Sequence, residues 1–201
     1  MLKAFEIKYM DSLVDRVLPL WKVDGESLKF NRLYVEMIIR TNMHLNELQF
    51  EMTDGDLLKA IAFSAEKKDF LERESSLYSG ETDWFLHTLK LLSARQQDIF
   101  TNGRKYLLQM EENTFSLMKE GDIKLCLFVS LEKGWGQKIL DETFALYRKL
   151  GFKRVFLWTD CECNVDWYFK NGYQLLSQEE YPPFSKPESK YMTYIFKKNT
   201  V

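Results

Sequence analysis

Two glycines flank a tryptophan at residues 134–136, between an apolar run and a segment with helical spacing. The apolar run, "DIKLCLFVS" at 122–130, is typical of a buried strand. A helix that starts after it presents unpartnered N–H groups and the positive end of its dipole. Glycine lets an anion approach that backbone closely because it has no Cβ, and Lys133 and Lys138 add positive charge. The pattern predicts a site for a pyrophosphate, and the alternative is a plain tight turn.

Other motifs that bind nucleotides or support nucleophilic catalysis are missing. The third position after "GWG" is Ile139, so G-x-G-x-x-G is not present, and neither is G-x-x-x-x-G-K-[ST]. The chain has no G-x-S-x-G motif. The pair Cys161-x-Cys163 would need further thiols or histidines to bind zinc. Because Cys126 lies inside an apolar run, it is expected in the core, and no metal is predicted.

The elements that position this turn follow from periodicity. A helix is expected from Asp11 as its N-cap, with Pro19 kinking or ending it, and a second one covers 31–42. Two antiparallel strands at 48–63 meet at the turn Asp54-Gly55. A helical block follows at about 64–120.

In this helical block, Asn102-Gly103 is expected to separate two helices. After the strand at 122–130, a helix closes at Gly151 and a second strand, "KRVFLWTD", follows. A short helix capped by Asn164 and a last strand, "YMTYIFKK", complete a mixed α/β domain.

Composition indicates an ordinary globular protein. The 201 residues fit one domain, and 45% are hydrophobic. A net charge of -2 without a basic run argues against nucleic acid and anionic membranes as partners. No run of 18 apolar residues and no signal peptide is found, and three cysteines do not suggest a disulfide framework. The chain is expected to be cytoplasmic.

Two linked segments carry a resemblance to a known family. "KGWGQKILDETFALYRKLGFKRVFLWTD" and "WYFKNGY" resemble the pyrophosphate loop, helix, strand and F-Y-x-x-x-G-F segment of the GCN5-related N-acetyltransferase (GNAT) superfamily. The resemblance covers about 122–176. The position that holds Arg or Gln in the family's loop holds Leu131 here.

The resemblance implies a fold and a donor. It implies a single α/β domain over 1–201, a mixed α+β GNAT-like acyl-CoA N-acyltransferase fold. In this fold a central mixed sheet is flanked by helices, with a helical insertion at about 64–120 before the fourth strand. The segment 122–176 would be the acetyl-CoA-binding core. Acetyl-CoA would lie where two parallel strands, 125–129 and 155–159, splay apart. The implied binding residues are Leu127, Phe128, Val129, Lys133, Gly134, Trp135, Gly136, Gln137, Lys138 and Asn164.

The resemblance also implies the chemistry. Tyr168 would protonate the departing CoA thiolate, whereas Tyr173 would be structural. The general base is left open among Asp160, Glu162 and Glu51. The implied function is acetyl transfer from acetyl-CoA to a primary amine, carried by a small molecule or a peptide.

Four points stay open at the level of sequence. The rival function is that of a catalytically degenerate member of the fold, which acts as a CoA-binding sensor or an interaction module. A longer acyl donor is the third possibility, because the aromatic content of 15% suits a wider tunnel. The sequence leaves a homodimer open and identifies no acceptor.

Overall fold

The computed structural model describes residues 1–44, 46, 48–74 and 79–200, and for 71–74 and 79–80 it describes the backbone alone. The part of the expected helical block at 75–78 therefore lies outside the described residues.

A seven-stranded mixed sheet in the order β1-β2-β3-β4-β5-β7-β6 forms the centre of the molecule. The strands are β1 (Lys3–Ala4), β2 (Gln49–Asp54), β3 (Leu57–Glu66), β4 (Asp122–Ser130), β5 (Arg154–Asp160), β6 (Gln174–Glu180) and β7 (Met192–Asn199). Among these strands of the described residues, β4 and β5 alone pair in parallel, and the other neighbours are antiparallel.

Helices cover both faces of the sheet. They are α1 (Met10–Trp21), α2 (Leu28–Thr41), α3 (Lys67–Glu74), α4 (Ser79–Leu89), α5 (Ala94–Leu117), α6 (Trp135–Lys149) and α7 (Val165–Lys170). Side chains alternate along β3, as the period of a strand requires. Ala60 and Ala62 belong to the cluster around α6, while Ile61 and Phe63 pack with α1 and α2. None of the helices in the described part of the chain is both long enough and apolar enough to cross a bilayer.

The hairpin, β4, α6, β5 and β7 agree with the sequence predictions, and Gly151 follows α6 with a positive φ of 84°. The expected break at Asn102-Gly103 is wrong, since α5 runs through both residues. A Cβ at Gly103 would lie 2.5 Å from the Tyr34 hydroxyl of α2. This glycine therefore permits close packing of two helices rather than a helix end.

Two strands, β1 and β6, were not predicted from the sequence. β1 has only two residues, and β6 lies at the edge of the sheet with one neighbour, so polar residues occupy much of it. Asp11 also lies in the first turn of α1, whose N-cap is Tyr9, rather than at the cap. Pro19 lies inside α1, near its end.

Candidate active site

The parallel strands β4 and β5 separate after three residue pairs, which end at Lys124 and Phe156. At the same level β4 bulges, because Leu125 pairs with Ser64 and the next pairing residue is Leu127, opposite Phe63. Cys126 is the extra residue. A bulge bends its strand and increases the local twist, which accounts for the separation. Beyond Lys124 the edge of β4 that faces β5 pairs with no strand in the described part of the chain.

A cavity of about 490 Å³ lies at this separation. The two separated strands line it, together with the end of α1, the middle and end of α2, the middle of α5 and one residue of α6. The segment before and within α7, Tyr173 and the segment that precedes β7 complete the lining. From the separated strands come Leu125, Cys126, Leu127, Phe128, Leu157, Trp158, Thr159 and Asp160. From the other elements come Trp21, Tyr34, Tyr106, Glu162, Cys163, Tyr168, Phe184 and Tyr191, among others.

The start of α6 is open to solvent and has no side-chain cap. Its N-cap is Gly134, with φ of 87°, and a Cβ built there meets no atom within 4 Å. Glycine is favoured at this position because it adopts a left-handed backbone without strain. The N–H groups of the first turn, close to the exposed Lys133 and Lys138, therefore form an open site for an anion.

Gly136 has a different function in the same turn. A Cβ there would lie 2.9 Å from the Ser130 Cβ and 3.1 Å from the Phe128 ring. The absence of a side chain lets the first turn of α6 lie directly on the end of β4. The two glycines thus fix both the conformation of the turn and its distance from the separated strand.

The turn is also anchored from the opposite side. The Leu131 N–H donates to the Lys59 carbonyl at 2.9 Å, and the Arg16 guanidinium donates to the Leu131 carbonyl at 3.0 Å and the Leu58 carbonyl at 2.7 Å. Glu132 accepts from Lys59 at 2.6 Å, and this hydrogen bond lowers the pKa of its carboxyl. The Leu131 side chain packs against the hydrophobic cluster that α1 and α2 form with β3 and β4.

Tyr168 lies in the cavity wall on α7. Its ring stacks on Phe196 with centroids 5.3 Å apart and meets Tyr173 edge to face. Burial raises the pKa of Tyr168 to about 12, with a smaller contribution from Cys163. The hydroxyl therefore keeps its proton at neutral pH and can donate it.

Asp160, at the end of β5, is held by two phenols. Its Oδ2 accepts from the Tyr106 hydroxyl at 3.1 Å and from the Tyr191 hydroxyl at 2.8 Å. The Glu162 N–H donates to its Oδ1 at 3.1 Å. Burial raises the pKa of both tyrosines, and the nearby Asp160 raises it further, so each phenol keeps its proton and donates.

Solved structures resemble this architecture, although no family model matches the sequence and no curated protein matches it either. The ribosomal-protein-S18-alanine N-acetyltransferase of Escherichia coli is 9% identical, with a TM-score of 0.53 over 100% of this chain and 93% of that one. Ard1 of Thermoplasma volcanium is 10% identical, with a TM-score of 0.53 over 100% and 97%. An agmatine N-acetyltransferase is 11% identical, with a TM-score of 0.51 over 99% and 98%. The fold is that of the GCN5-related N-acetyltransferases.

Within this GNAT fold the structure brings some of the predicted site residues to the cavity. Leu127, Phe128 and Tyr168 line it, together with Tyr173, which is buried. The turn residues Lys133, Gly134, Trp135, Gly136, Gln137 and Lys138 lie at the start of α6. The Val129 side chain packs with α1 and α2, so only its backbone is available to a ligand in the cleft.

Two other predicted positions, Asn164 and Glu51, differ from expectation. Asn164 is the N-cap of α7 by position, but its exposed side chain makes no capping hydrogen bond. Of the carboxylates considered as bases, Asp160 and Glu162 line the cavity. Glu51 does not belong to its lining, and its carboxylate accepts from the Glu6 N–H at 3.1 Å.

The cysteines also separate into two environments. Cys161 and Cys163 are exposed, and within the described residues the only potential metal-ligating group of three is His44, Glu111 and Cys126. This group is buried, and the Lys124 ammonium forms an ion pair with Glu111 inside it. The expectation that Cys126 lies in the core is confirmed.

Sequence reasoning missed Arg16, Lys59, Tyr106 and Tyr191. Each comes from an element distant in sequence from the GNAT-like segment, so no local motif could indicate it. The aromatic run near the C-terminus was the one available signal for Tyr191. For Tyr106, helical spacing on α5 suggested only a core position.

Proposed function

We propose that this protein is an N-acetyltransferase that transfers an acetyl group from acetyl-CoA to a primary amine by direct attack. The observation that carries the proposal is the separation of β4 and β5 beside the uncapped start of α6. A strand edge without a partner and a helix N-terminus together suit a ligand with both amide groups and a pyrophosphate. N-acetyltransferases among the structural neighbours support the same function.

The residues present fit this donor. Leu127, Phe128 and Val129 offer backbone groups along the free edge of β4 to the pantetheine amides. The first turn of α6, from Gly134, offers N–H groups to the pyrophosphate, and Lys133 and Lys138 offset its charge. No atom within 4 Å of the Gly134 Cβ position obstructs the approach.

The reaction needs two further contributions from the chain. Acetyl-CoA supplies an activated thioester. A backbone N–H on the free edge of β4 polarises its carbonyl, as in an oxyanion hole. The amine nitrogen forms the new C–N bond and loses a proton, and the C–S bond breaks. The Tyr168 hydroxyl supplies a proton to the thiolate and is restored by the proton that the nitrogen loses. Because the pKa of Tyr168 is about 12, the hydroxyl is protonated when the thiolate leaves.

One observation favours the rival function, that of a CoA-binding sensor or interaction module. The position of the family's Arg or Gln holds Leu131, an apolar side chain that packs against the cluster of α1, α2, β3 and β4, so it offers no hydrogen bond to a phosphate. Binding without turnover would indicate this rival.

Release of free thiol from acetyl-CoA, measured with a panel of amines, tests the proposal. The panel contains 2-phenylethylamine, agmatine and a peptide with a free N-terminus, because structural neighbours are named for agmatine and arylalkylamines. We expect amine-dependent thiol release with at least one acceptor, and mass spectrometry should show the amide. Thiol release that is independent of amine would overturn the direct-attack mechanism. Butyryl- and octanoyl-CoA, run in parallel, test the longer acyl donor.

A further inference from the structure

The cavity joins two hydrophobic clusters of different origin. One side contains Leu125, Phe128 and Tyr168, which belong to the cluster around α6 and the proposed donor site. The other side contains Tyr34 and Tyr106, which belong to the cluster built by α2, α4, α5 and the segment before β7. The second side is thus built largely by elements outside the donor-binding segment. It is the place left for an acceptor.

Rings enclose this second side. Tyr106 lies at its centre, and its ring centroid is 5.5 Å from Trp158, 5.0 Å from Phe184 and 5.9 Å from Tyr191. The Trp158 Nε1 is buried and has no hydrogen-bond partner among the described residues. An oxygen atom of a bound molecule would satisfy it. Such a wall favours an apolar body over a strongly hydrated one.

Negative charge is concentrated at the junction of the two sides. The described charged residues of the lining are Asp160, Glu162 and Lys22. Lys22 is exposed and lies 3.7 Å from Asp24, which offsets its charge. Burial raises the pKa of the Tyr34 phenol to about 12, and the negative charge of the nearby Glu162 contributes to this increase. A carboxylate surrounded by aromatic faces is an arrangement that binds an organic ammonium, through an ion pair and cation–π contacts.

We propose that the acceptor is a monoamine on an apolar body, bound as its ammonium by Asp160 inside this aromatic enclosure. The proposal rests on the proposed function and adds the class of acceptor to it. Asp160 binds the ammonium and takes one of its protons, which leaves a neutral amine beside the thioester. The nitrogen then bonds to the acetyl carbon and the C–S bond breaks. The nitrogen gives up a second proton when the amide forms, and Tyr168 gives one proton to the thiolate. Of the two protons that the nitrogen has lost, one restores the Tyr168 hydroxyl and the other is released to water.

The helical insertion has a specific part in this arrangement. Tyr106 of α5 donates to Asp160 Oδ2, the atom that also accepts from Tyr191. These two phenols fix the orientation of the carboxylate at the junction. Tyr106 is therefore a positioning residue, and the insertion shapes the acceptor site.

The test uses the full chain and measures acceptor and donor binding separately. Calorimetry follows the binding of 2-phenylethylamine to the protein, with 3-phenylpropanoate as an anion of similar shape and putrescine as a dication without an apolar end. We expect 2-phenylethylamine to bind and the other two to bind at least about 10-fold more weakly, since a charge-assisted hydrogen bond contributes that much or more. Equal affinity for the amine and the anion would overturn the proposal.

Variants locate the site. Asp160→Asn should raise the Kd of 2-phenylethylamine about 10- to 100-fold and leave the Kd of acetyl-CoA unchanged. Asp98→Asn is the matched control, because this exposed carboxylate of α5 lies outside the cavity lining and should change the amine Kd less than about threefold at about 0.15 M salt. Tyr106→Phe keeps the ring and should raise KM for the amine several-fold with a smaller change in kcat. An amine Kd that Asp160→Asn leaves unaltered would overturn the assignment even if both ligands bind.

The two proposals fail in different ways. If acetyl-CoA does not bind but the amine binds in an Asp160-dependent manner, the acetyltransferase function is wrong and the amine site stands. If acetyl-CoA binds and only polar or peptide amines are acetylated, the function stands and the acceptor class is wrong.

Discussion

At the scale of single residues, the two glycines of the turn illustrate how one motif serves two physical needs. Gly134 requires a left-handed backbone in open space, whereas Gly136 requires close approach to β4. The sequence indicated that both were needed for a nearby ligand. It could not separate the two roles, because the packing partners Ser130 and Phe128 become neighbours of α6 only in the folded chain.

Gly136→Ala should destabilise the fold. The added Cβ meets Ser130 at 2.9 Å and Phe128 at 3.1 Å, and overpacking of this kind costs about 1–3 kcal/mol of unfolding free energy. Urea denaturation measures the loss. Ser130→Gly in the same chain removes the nearer atom and should restore part of the stability. A Gly136→Ala variant as stable as the wild type would contradict the packing account.

Tyr168→Phe should lower kcat by one to three orders of magnitude with little change in the Kd of acetyl-CoA, since only the proton donor is lost. Tyr173→Phe is the control, because this buried tyrosine is expected to be structural. With a Tyr168 pKa of about 12, the wild type should show no fall in kcat between pH 7 and 10 from loss of this proton. A Tyr168→Phe variant with full kcat would make the tyrosine structural.

At the scale of elements, periodicity located the hairpin, β4, α6, β5 and β7, because each has a strong local pattern. It failed where tertiary packing decides. An Asn-Gly pair usually ends a helix, yet α5 continues through Gly103. Glycine occupies this position because the Tyr34 ring of α2 fills the space that a side chain would need. β6 forms by pairing with β7 at the edge of the sheet, and the alternation of its own residues is too weak to predict a strand.

Gly103→Ala should affect the acceptor more than the fold. Alanine favours a helix by about 1 kcal/mol over glycine, which offsets part of the cost of moving the Tyr34 ring. The displaced ring lines the cavity, so KM for the amine should rise while the Kd of acetyl-CoA stays the same. Kinetics and thermal denaturation of the variant check both parts. An unchanged KM would show that Tyr34 does not contact the acceptor.

At the scale of the whole molecule, the order of the strands and the depth of the cleft could not be derived from periodicity. The family resemblance supplied the separation of the two parallel strands, and the structure confirms it through the pairing that ends at Lys124. The residues of the proposed acceptor side could not be predicted from the sequence, because they come from α1, α2, α5 and the segment before β7. Residues such as Tyr106 and Asp160 are 54 positions apart and meet only in the fold.

Buried tyrosines should make the stability depend on pH in the alkaline range. Burial raises the pKa of Tyr147 and Tyr106, and that of Tyr34 to about 12. Tyrosines of an unfolded chain lose their protons near pH ~10, whereas the buried tyrosines of the folded chain keep theirs to higher pH. These tyrosines therefore leave the stability constant below pH ~10 and lower it above that pH. Each such group contributes a slope of about 1.4 kcal/mol per pH unit.

Thermal denaturation between pH 8 and 11 measures this effect. Tyr147 is fully buried and hydrogen-bonded to Ser64, so Tyr147→Phe should lower the stability throughout but make the decline above pH 10 shallower. Parallel curves for the two proteins would show that Tyr147 titrates alike in both states.

Calorimetric titration with acetyl-CoA tests the central claim most directly, if the wild type is compared with Gly134→Asn and Gly134→Asp. Both side chains tolerate a left-handed backbone and have nearly the same shape, so they differ mainly in charge. We predict saturable one-to-one binding by the wild type, and an affinity for Gly134→Asp at least about 10-fold below that of Gly134→Asn, because a carboxylate repels the pyrophosphate at the start of α6. No binding by the wild type at millimolar acetyl-CoA, or equal affinities for the two variants, would contradict the assignment of this turn to the donor.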